Sequence, residues 1–200
     1  MAASRSRCAR PIQTQGRPSR IVVLGCGSIG QAVVPLLIRD VGAAPESIRV
    51  VEMADTRHRI ADSIAAGVTF EQAEVTRANL ATFLGERLGA GDILLDLAWN
   101  IDATVIIDWC RAHGVRYLNT STEVWEPYAD VASQPPATRT LYHRHMGLRA
   151  MVRGWGRNDG PSAVVEHGAN PGWVSHEAKH ALESLGAELL RRNLVSGGAR

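Results

Sequence analysis

Cysteine is scarce. The 200 residues hold three, Cys8, Cys26 and Cys110, with no paired spacing. That excludes a disulfide framework and reads as free thiols in a reducing compartment, the cytoplasm. Long apolar runs are missing too: none reaches the roughly 20 residues a membrane helix needs. Excess charge of either sign is absent, with 22 Lys plus Arg against 20 Asp plus Glu and a formal net charge of +2. A balance so near zero gives no reason to expect a nucleic acid or an anionic membrane as partner. Acid is absent from the first twenty residues, which carry five arginines among Ser, Gln and Pro. An Arg- and Ser-rich start resembles an organelle transit peptide, but the plainer reading of residues 1–19 is a disordered basic leader. Without an apolar h-region, a secretory signal is not expected. No internal repeat and no hairpin signal interrupts the rest.

What is present is organised around Ile21-Val22-Val23-Leu24-Gly25-Cys26-Gly27-Ser28-Ile29-Gly30. A β-branched run breaks into G-x-G-x-x-G and continues as the apolar-periodic Gln31 to Ile38. That order predicts strand, tight turn and helix. Gly25 lets the chain turn, Gly27 lets a pyrophosphate approach the backbone, and Gly30 lets the helix pack close to the strand. The first N–H groups of the helix, at Ser28, Ile29 and Gly30, then face the phosphates with the positive end of the helix dipole behind them. The expected ligand is a dinucleotide.

The length suits one α/β domain with the start of a second. Strands are expected over 47–53, 68–75, 92–97, 115–119 and 162–165. Helices are expected over 56–66, from a Thr76 cap through Leu88, and over 102–113, 138–155 and 174–192. Strand and helix alternate, which demands crossovers and a mostly parallel, doubly wound sheet with helices on both faces, a Rossmann-like α/β fold. Ser196 to Arg200 carry no packing signal.

Glu52 ends the second strand about twenty residues beyond the glycines, where a carboxylate accepts the ribose hydroxyls of NAD and repels a 2′-phosphate. A shifted register offers Asp55 instead, and Arg57 and Arg59 keep NADP open. Small Ala98, after the fourth strand, lets the backbone approach the cofactor beside Trp99 and Asn100. The fifth strand leads through Thr120, a further cofactor contact, to Glu123 and Trp125. Those two can hold a cationic substrate by charge and by cation–π contact.

His176-Glu177-Ala178-Lys179-His180 matches H-E-x-x-H on a predicted helix, the pattern of a zinc hydrolase. A catalytic zinc needs a third protein ligand. The only later carboxylates, Glu183 and Glu188, lie on the same helix, so no metal is expected. His143 and His145 do not share a helix face and read as solvated. Cys110 lies on an apolar helix face and reads as core. No Ser-His-Asp arrangement stands out.

Several segments together resemble the bacterial homospermidine synthase family, within the saccharopine dehydrogenase-like group. They are Arg20 to Gly30, Ala73 to Asn79, Tyr117 to Trp125, and Gly168-Ala169-Asn170-Pro171-Gly172-Trp173-Val174-Ser175. The similarity runs from Arg20 to Leu190, and G-A-N-P-G is its most specific part. The resemblance implies an NAD that takes a hydride from putrescine, an imine that is deaminated and captured by a second amine, and return of the hydride to give homospermidine. It implies that Glu123 faces the amine and that Asn170 sits near nicotinamide and substrate. It also implies a homodimer in the full-length protein. Asn100 stands where some relatives place an acid, Val124 where Pro is frequent, His167 where Cys is usual and Trp173 where Met is usual.

The expected organisation is a leader, an NAD-binding domain over 20–167, and a turn and helix over 168–200. The last would lead into a substrate domain largely missing from these residues, so this chain alone is expected to be inactive. Three other readings stay open: a saccharopine dehydrogenase-like reductase, the zinc hydrolase, and a non-catalytic dinucleotide-binding module.

Overall fold

A β-branched run flanked by turn residues becomes strand, and Ile21–Leu24 forms β1 with all four side chains buried. The computed structural model describes residues 19–129, 132–157, 159–168 and 172–195. The leader expected before Ser19, Asn170 with its neighbours Ala169 and Pro171, and the tail from Ser196 lie outside the described residues. The strands that follow are β2 (Ile48–Glu52), β3 (Thr69–Gln72), β4 (Ile93–Asp96), β5 (Arg116–Asn119) and β6 (Ala163–Val164). The helices are α1 (Ser28–Arg39), α2 (Ala61–Ala65), α3 (Leu80–Arg87), α4 (Ala103–His113), α5 (Leu141–Gly154) and α6 (Trp173–Arg191).

All six strands are parallel, in the order β3-β2-β1-β4-β5-β6. This is the Rossmann-like order. Period-2 alternation sorts the side chains between two layers. Val22, Leu24, Val51, Leu94 and Tyr117 face one side, where Leu80, Phe83 and Leu84 of α3 and Ile106, Ile107 and Cys110 of α4 cover them. Ile21, Val23, Ile48, Val50 and Leu95 face the other, packed with Val34 of α1 and with Ile60 just before α2. With both faces covered, the inner strands can be apolar throughout.

Several elements depart from expectation at their ends. The segment 56–66 is a 3-10 turn, Arg57–Ile60, followed by the short α2; Ile60 leaves helical geometry (φ −127°, ψ 31°) and is buried. β3 stops at Gln72. Ala73 N–H still reaches Glu52 O at 3.0 Å, and the chain then leaves the sheet. Helix α3 begins at Leu80, not at Thr76. Thr76 N–H donates to Asn79 Oδ1 (2.8 Å) and Asn79 N–H to Thr76 Oγ1 (3.4 Å), so Thr76 caps the turn that feeds the helix. Likewise α5 waits for Thr140, whose hydroxyl accepts from His143 N–H at 3.2 Å; the residues before it form a separate 3-10 turn.

One buried carboxylate ties the amino edge of the sheet together. Asp92, just before β4, is 0% exposed. It accepts from Arg20 N–H (2.9 Å), Arg20 Nε–H (3.0 Å) and Gly89 N–H (2.8 Å). Arg20 Nη2 also lies 2.9 Å from it, so removing it leaves at least four donors without their acceptor. Asp92→Ala is expected to lower the unfolding free energy by about 3 kcal/mol. Urea denaturation checks this, and a loss under about 1 kcal/mol would show that solvent replaces the carboxylate.

Candidate functional site

The turn after β1 is built on close backbone approach. Gly25 has φ +102°, and a Cβ there would lie 2.8 Å from the Leu97 carbonyl carbon, so the position admits only glycine. A Cβ on Gly30 would run into the Gly25 carbonyl oxygen. Gly27 is the opposite case: it is exposed, and nothing lies within 4 Å of where its Cβ would stand. Gly27 is also the N-cap of α1. No side chain caps this helix, and its first turn holds no acid. The first bond back to the turn runs from Gln31 N–H to Gly27 O (3.0 Å), so the N–H groups of Ser28, Ile29 and Gly30 precede it. Exposed, uncapped N–H groups at a helix start form an anion site.

β1 lies between β2 and β4, where the winding reverses, and ligands in such sheets bind beyond the carboxyl ends at that point. A cleft of about 610 Å³ opens there, lined among others by Gly25, Gly27, Glu52, Ala98, Trp99 and Asn100. Glu52 Oε2 accepts from Cys26 N–H (2.7 Å), and Oε1 accepts from Met53 N–H (2.8 Å) and Ala54 N–H (3.3 Å). Three backbone donors fix the carboxylate at the wall of the cleft. Asp55, the alternative, is exposed and held by Arg57 Nε at 3.0 Å.

Glu123 and Thr120 do not line this cleft; they lie one strand over, after β5. Glu123 is half-buried, and its Oε1 accepts from Ser121 Oγ–H at 2.6 Å. Trp125 does line the cleft, and Arg77 lies 5.7 Å from its ring centre. Asn100, at φ +65°, accepts Glu126 N–H at 2.5 Å and shapes the turn after β4. Asn tolerates that left-handed conformation better than most residues.

His176 and His180 are both exposed on α6, and the His176 ring lies 5.5 Å from that of His167. Among the described residues no group of three His, Cys, Asp or Glu is placed to hold a metal. His145 is not the solvated residue expected: its Nε2 lies 2.7 Å from Glu166 Oε2, because α5 packs beside the exit of β6. Cys110 is core, as expected, and burial pushes its thiol up to about 12.

Sequence reasoning missed a buried polar chain beside the cleft. Tyr117 O–H donates to Asp96 Oδ2 (2.7 Å), and Asn119 Nδ2–H donates to Tyr117 Oη (2.8 Å) and to Ser121 O (2.8 Å). Burial raises the Asp96 carboxyl to about 6 and pushes the Tyr117 hydroxyl above its ordinary range. The signal lies in the alternation: Asp96 follows Leu94 by two and Asn119 follows Tyr117 by two, so both polar residues take inward positions.

Residues 21–164 match the Saccharopine dehydrogenase NADP binding domain family. The chain belongs to that family. It is 33% identical over 174 residues to a homospermidine synthase of Blastochloris viridis, covering 84% of this chain and 35% of that protein. It is 32% identical over 174 residues to a homospermidine synthase of Mesorhizobium japonicum, with the same coverage, 84% and 35%. Its fold matches the crystal structure of a homospermidine synthase from Legionella pneumophila in complex with NAD. That match has a TM-score of 0.72 and 27% identity, over 91% of this chain and 36% of the other. The chain thus spans about a third of the length of these proteins.

Asp96 supplies a pH test. Its folded-state value, about 6, lies above the ordinary 3.8, so between those values the native protein keeps a proton that the unfolded chain has released. Stability from this group is therefore fully present below pH ~4 and is lost as pH rises to ~6. Glu71, held low first by its bond from Arg87 and also by Arg49, works in the opposite sense at more acid pH. The difference in unfolding free energy between wild type and Asp96→Asn isolates the first effect. It is expected to fall by about 3 kcal/mol from pH 4 to pH 7, and a flat difference would mean that Asp96 titrates normally.

Proposed function

We propose that this chain is the NAD-binding part of a homospermidine synthase-type enzyme. In this reading residues 20–167 are the nucleotide-binding unit, and residues 168–200 lead into the substrate domain. The observation that carries the reading is the 33% identity to a homospermidine synthase over 84% of the chain, joined to a glycine turn, uncapped helix start and strand-end acid that all meet at one cleft. The reaction joins two putrescines and releases ammonia. A hydride and a proton leave the first diamine to give an imine, the second amine adds to the imine carbon as ammonia leaves, and a hydride and a proton return to the new C=N bond, so there is no net redox change. The substrate is a diamine, and the full-length protein pairs with a second copy of itself. The enzyme works in the cytoplasm; among the described residues no helix is long and apolar enough to cross a membrane.

Bound NAD supplies the hydride acceptor and later the donor. The chain's own residues would supply the nucleotide site and one carboxylate for the amine. The N–H groups of Ser28, Ile29 and Gly30 hold the pyrophosphate at the positive end of α1, and open Gly27 admits it. Glu52 keeps acceptor capacity beyond its three backbone bonds and takes the ribose hydroxyls. Ala98 would bring its backbone to the cofactor without a bulky side chain, and Thr120, one strand over, would be a further contact. The Glu123 carboxylate would neutralise an ammonium of the diamine, and the family resemblance assigns Asn170, outside the described residues, to the nicotinamide and substrate.

Isothermal titration calorimetry tests the cofactor. NAD is expected to bind at least about tenfold tighter than NADP, since Glu52 would meet the 2′-phosphate as a like charge. Equal or tighter binding of NADP would overturn the choice and point to Arg57 and Arg59. Product formation tests the placement of the amine site. Hydride transfer needs an oriented diamine and excluded water, and of the described residues only Glu123 is assigned to the amine. The 200 residues incubated with putrescine and NAD are expected to yield no homospermidine, by mass spectrometry, above a Glu123→Ala control. Steady product would show that these residues complete the site themselves.

A further inference from the structure

The loop that leaves β5 is held from beneath by one residue on the next strand's exit. Thr122, the neighbour of Glu123, is 1% exposed. Its N–H donates to Glu166 Oε1 at 3.1 Å, and its carbonyl accepts from Arg144 Nη1 at 2.8 Å. Glu166 is itself 8% exposed and sits at φ +55°, a conformation that a residue with a side chain holds only where its surroundings fix it. Those surroundings are visible. Glu166 N–H donates to Asn119 Oδ1 (2.8 Å), and Glu166 Oε2 meets His145 Nε2 (2.7 Å). The Asn119 side chain also pins Ser121 O (2.8 Å). One carboxylate therefore joins three elements: the exit of β5, the exit of β6 and helix α5.

We propose that Glu166, braced by His145, is the positioning residue for Glu123, an inference that rests on the reading of Glu123 as the amine-facing carboxylate. The loop is fixed on both sides of that residue. Upstream are the bonds to Ser121 and Thr122; downstream the Glu123 carbonyl accepts Ala103 N–H at 3.1 Å, at the start of α4. With its backbone pinned, Glu123 keeps only side-chain freedom, and the Ser121 hydroxyl uses part of that to orient Oε1. A side chain of this length and fork suits the brace because it offers two polar atoms. One oxygen serves the loop and the other serves the helix, so removing the group frees both. Misplacement of a reacting group by about 1 Å costs on the order of a hundredfold in rate, so a brace of this kind matters more to binding geometry than to global fold.

The test uses the 200-residue chain saturated with NAD, with Glu166→Ala, Glu166→Gln and Glu123→Ala as variants. Amide hydrogen exchange is read at residues 120–124 and at β1 and β4. In Glu166→Ala the loop amides are expected to exchange at least about tenfold faster, while the sheet amides and NAD affinity stay within about twofold. Glu166→Gln keeps an oxygen for Thr122 and offers an N–H to His145, so it is expected to restore protection. Unchanged loop exchange in Glu166→Ala, or no rescue by Glu166→Gln, overturns the proposal. Putrescine-induced amide shifts in the loop separate this inference from the reading beneath it. Loss of the response in both alanine variants, with rescue by Glu166→Gln, supports positioning. Loss in Glu123→Ala alone overturns the role of Glu166 and leaves the amine site standing. A response that survives Glu123→Ala overturns the amine site itself and the positioning role with it.

Discussion

The structure depends on how closely two stretches of backbone approach at the end of β1. Gly25 turns off the strand against the carbonyl of Leu97, and Gly30 brings the first turn of α1 down onto Gly25. Any Cβ at either position would push the helix away from the sheet. The helix start would then no longer stand at the carboxyl edge, its N–H groups would not converge on one point, and Val34 would lose its place under the sheet. The contact thus sets the cleft and part of the core at once. Gly27 differs from both: nothing lies within 4 Å of where its Cβ would stand, and it borders the cleft.

This constraint is why so much of the fold is legible in the amino-acid sequence. A backbone that must pass within van der Waals distance of another leaves glycines at fixed spacing, and the spacing is visible in a string of letters. The same holds for the layers: Val22 and Val23 point to opposite faces because a strand alternates, and alternation is also written in the sequence. Element ends are less legible. Whether a helix begins at Thr76 or at Leu80 turns on a reciprocal bond between Thr76 and Asn79, and both starts fit the apolar period.

The polar chain through Asp96, Tyr117 and Asn119 is not legible for a different reason. Each residue has an ordinary alternative, a strand-end acid, a packing aromatic and a loop amide, and only the register of β4 against β5 brings Asp96 opposite Asn119. His145 escapes sequence reading for the same cause: helix-face arithmetic sees neighbours on one helix and not Glu166 across the gap. The H-E-x-x-H segment shows the converse. Its spacing is right, and both histidines are exposed on a helix with no buried residue.

Two carboxylates, far apart in sequence, do the same work at the sheet's carboxyl edge. Glu52 accepts backbone N–H groups from the glycine turn and from its own strand exit, and so locks the nucleotide side of the edge. Glu166 accepts a backbone N–H from the exit of β5 and meets His145, and so locks the other side. Loop backbone at an active edge lacks the ladder bonds that hold a strand, so its donors need acceptors from elsewhere. At Glu52 a neutral amide would give one acceptor where both oxygens now accept N–H groups, whereas at Glu166 the second oxygen meets a histidine nitrogen that an amide N–H can also serve. The difference lies in what remains free. Glu52 faces the cleft and keeps lone pairs for a ligand, whereas Glu166 is buried and its two oxygens are engaged within the protein. In the proposed reading, one fixes a loop and still binds, and the other fixes a loop so that Glu123, the residue after Thr122, can bind.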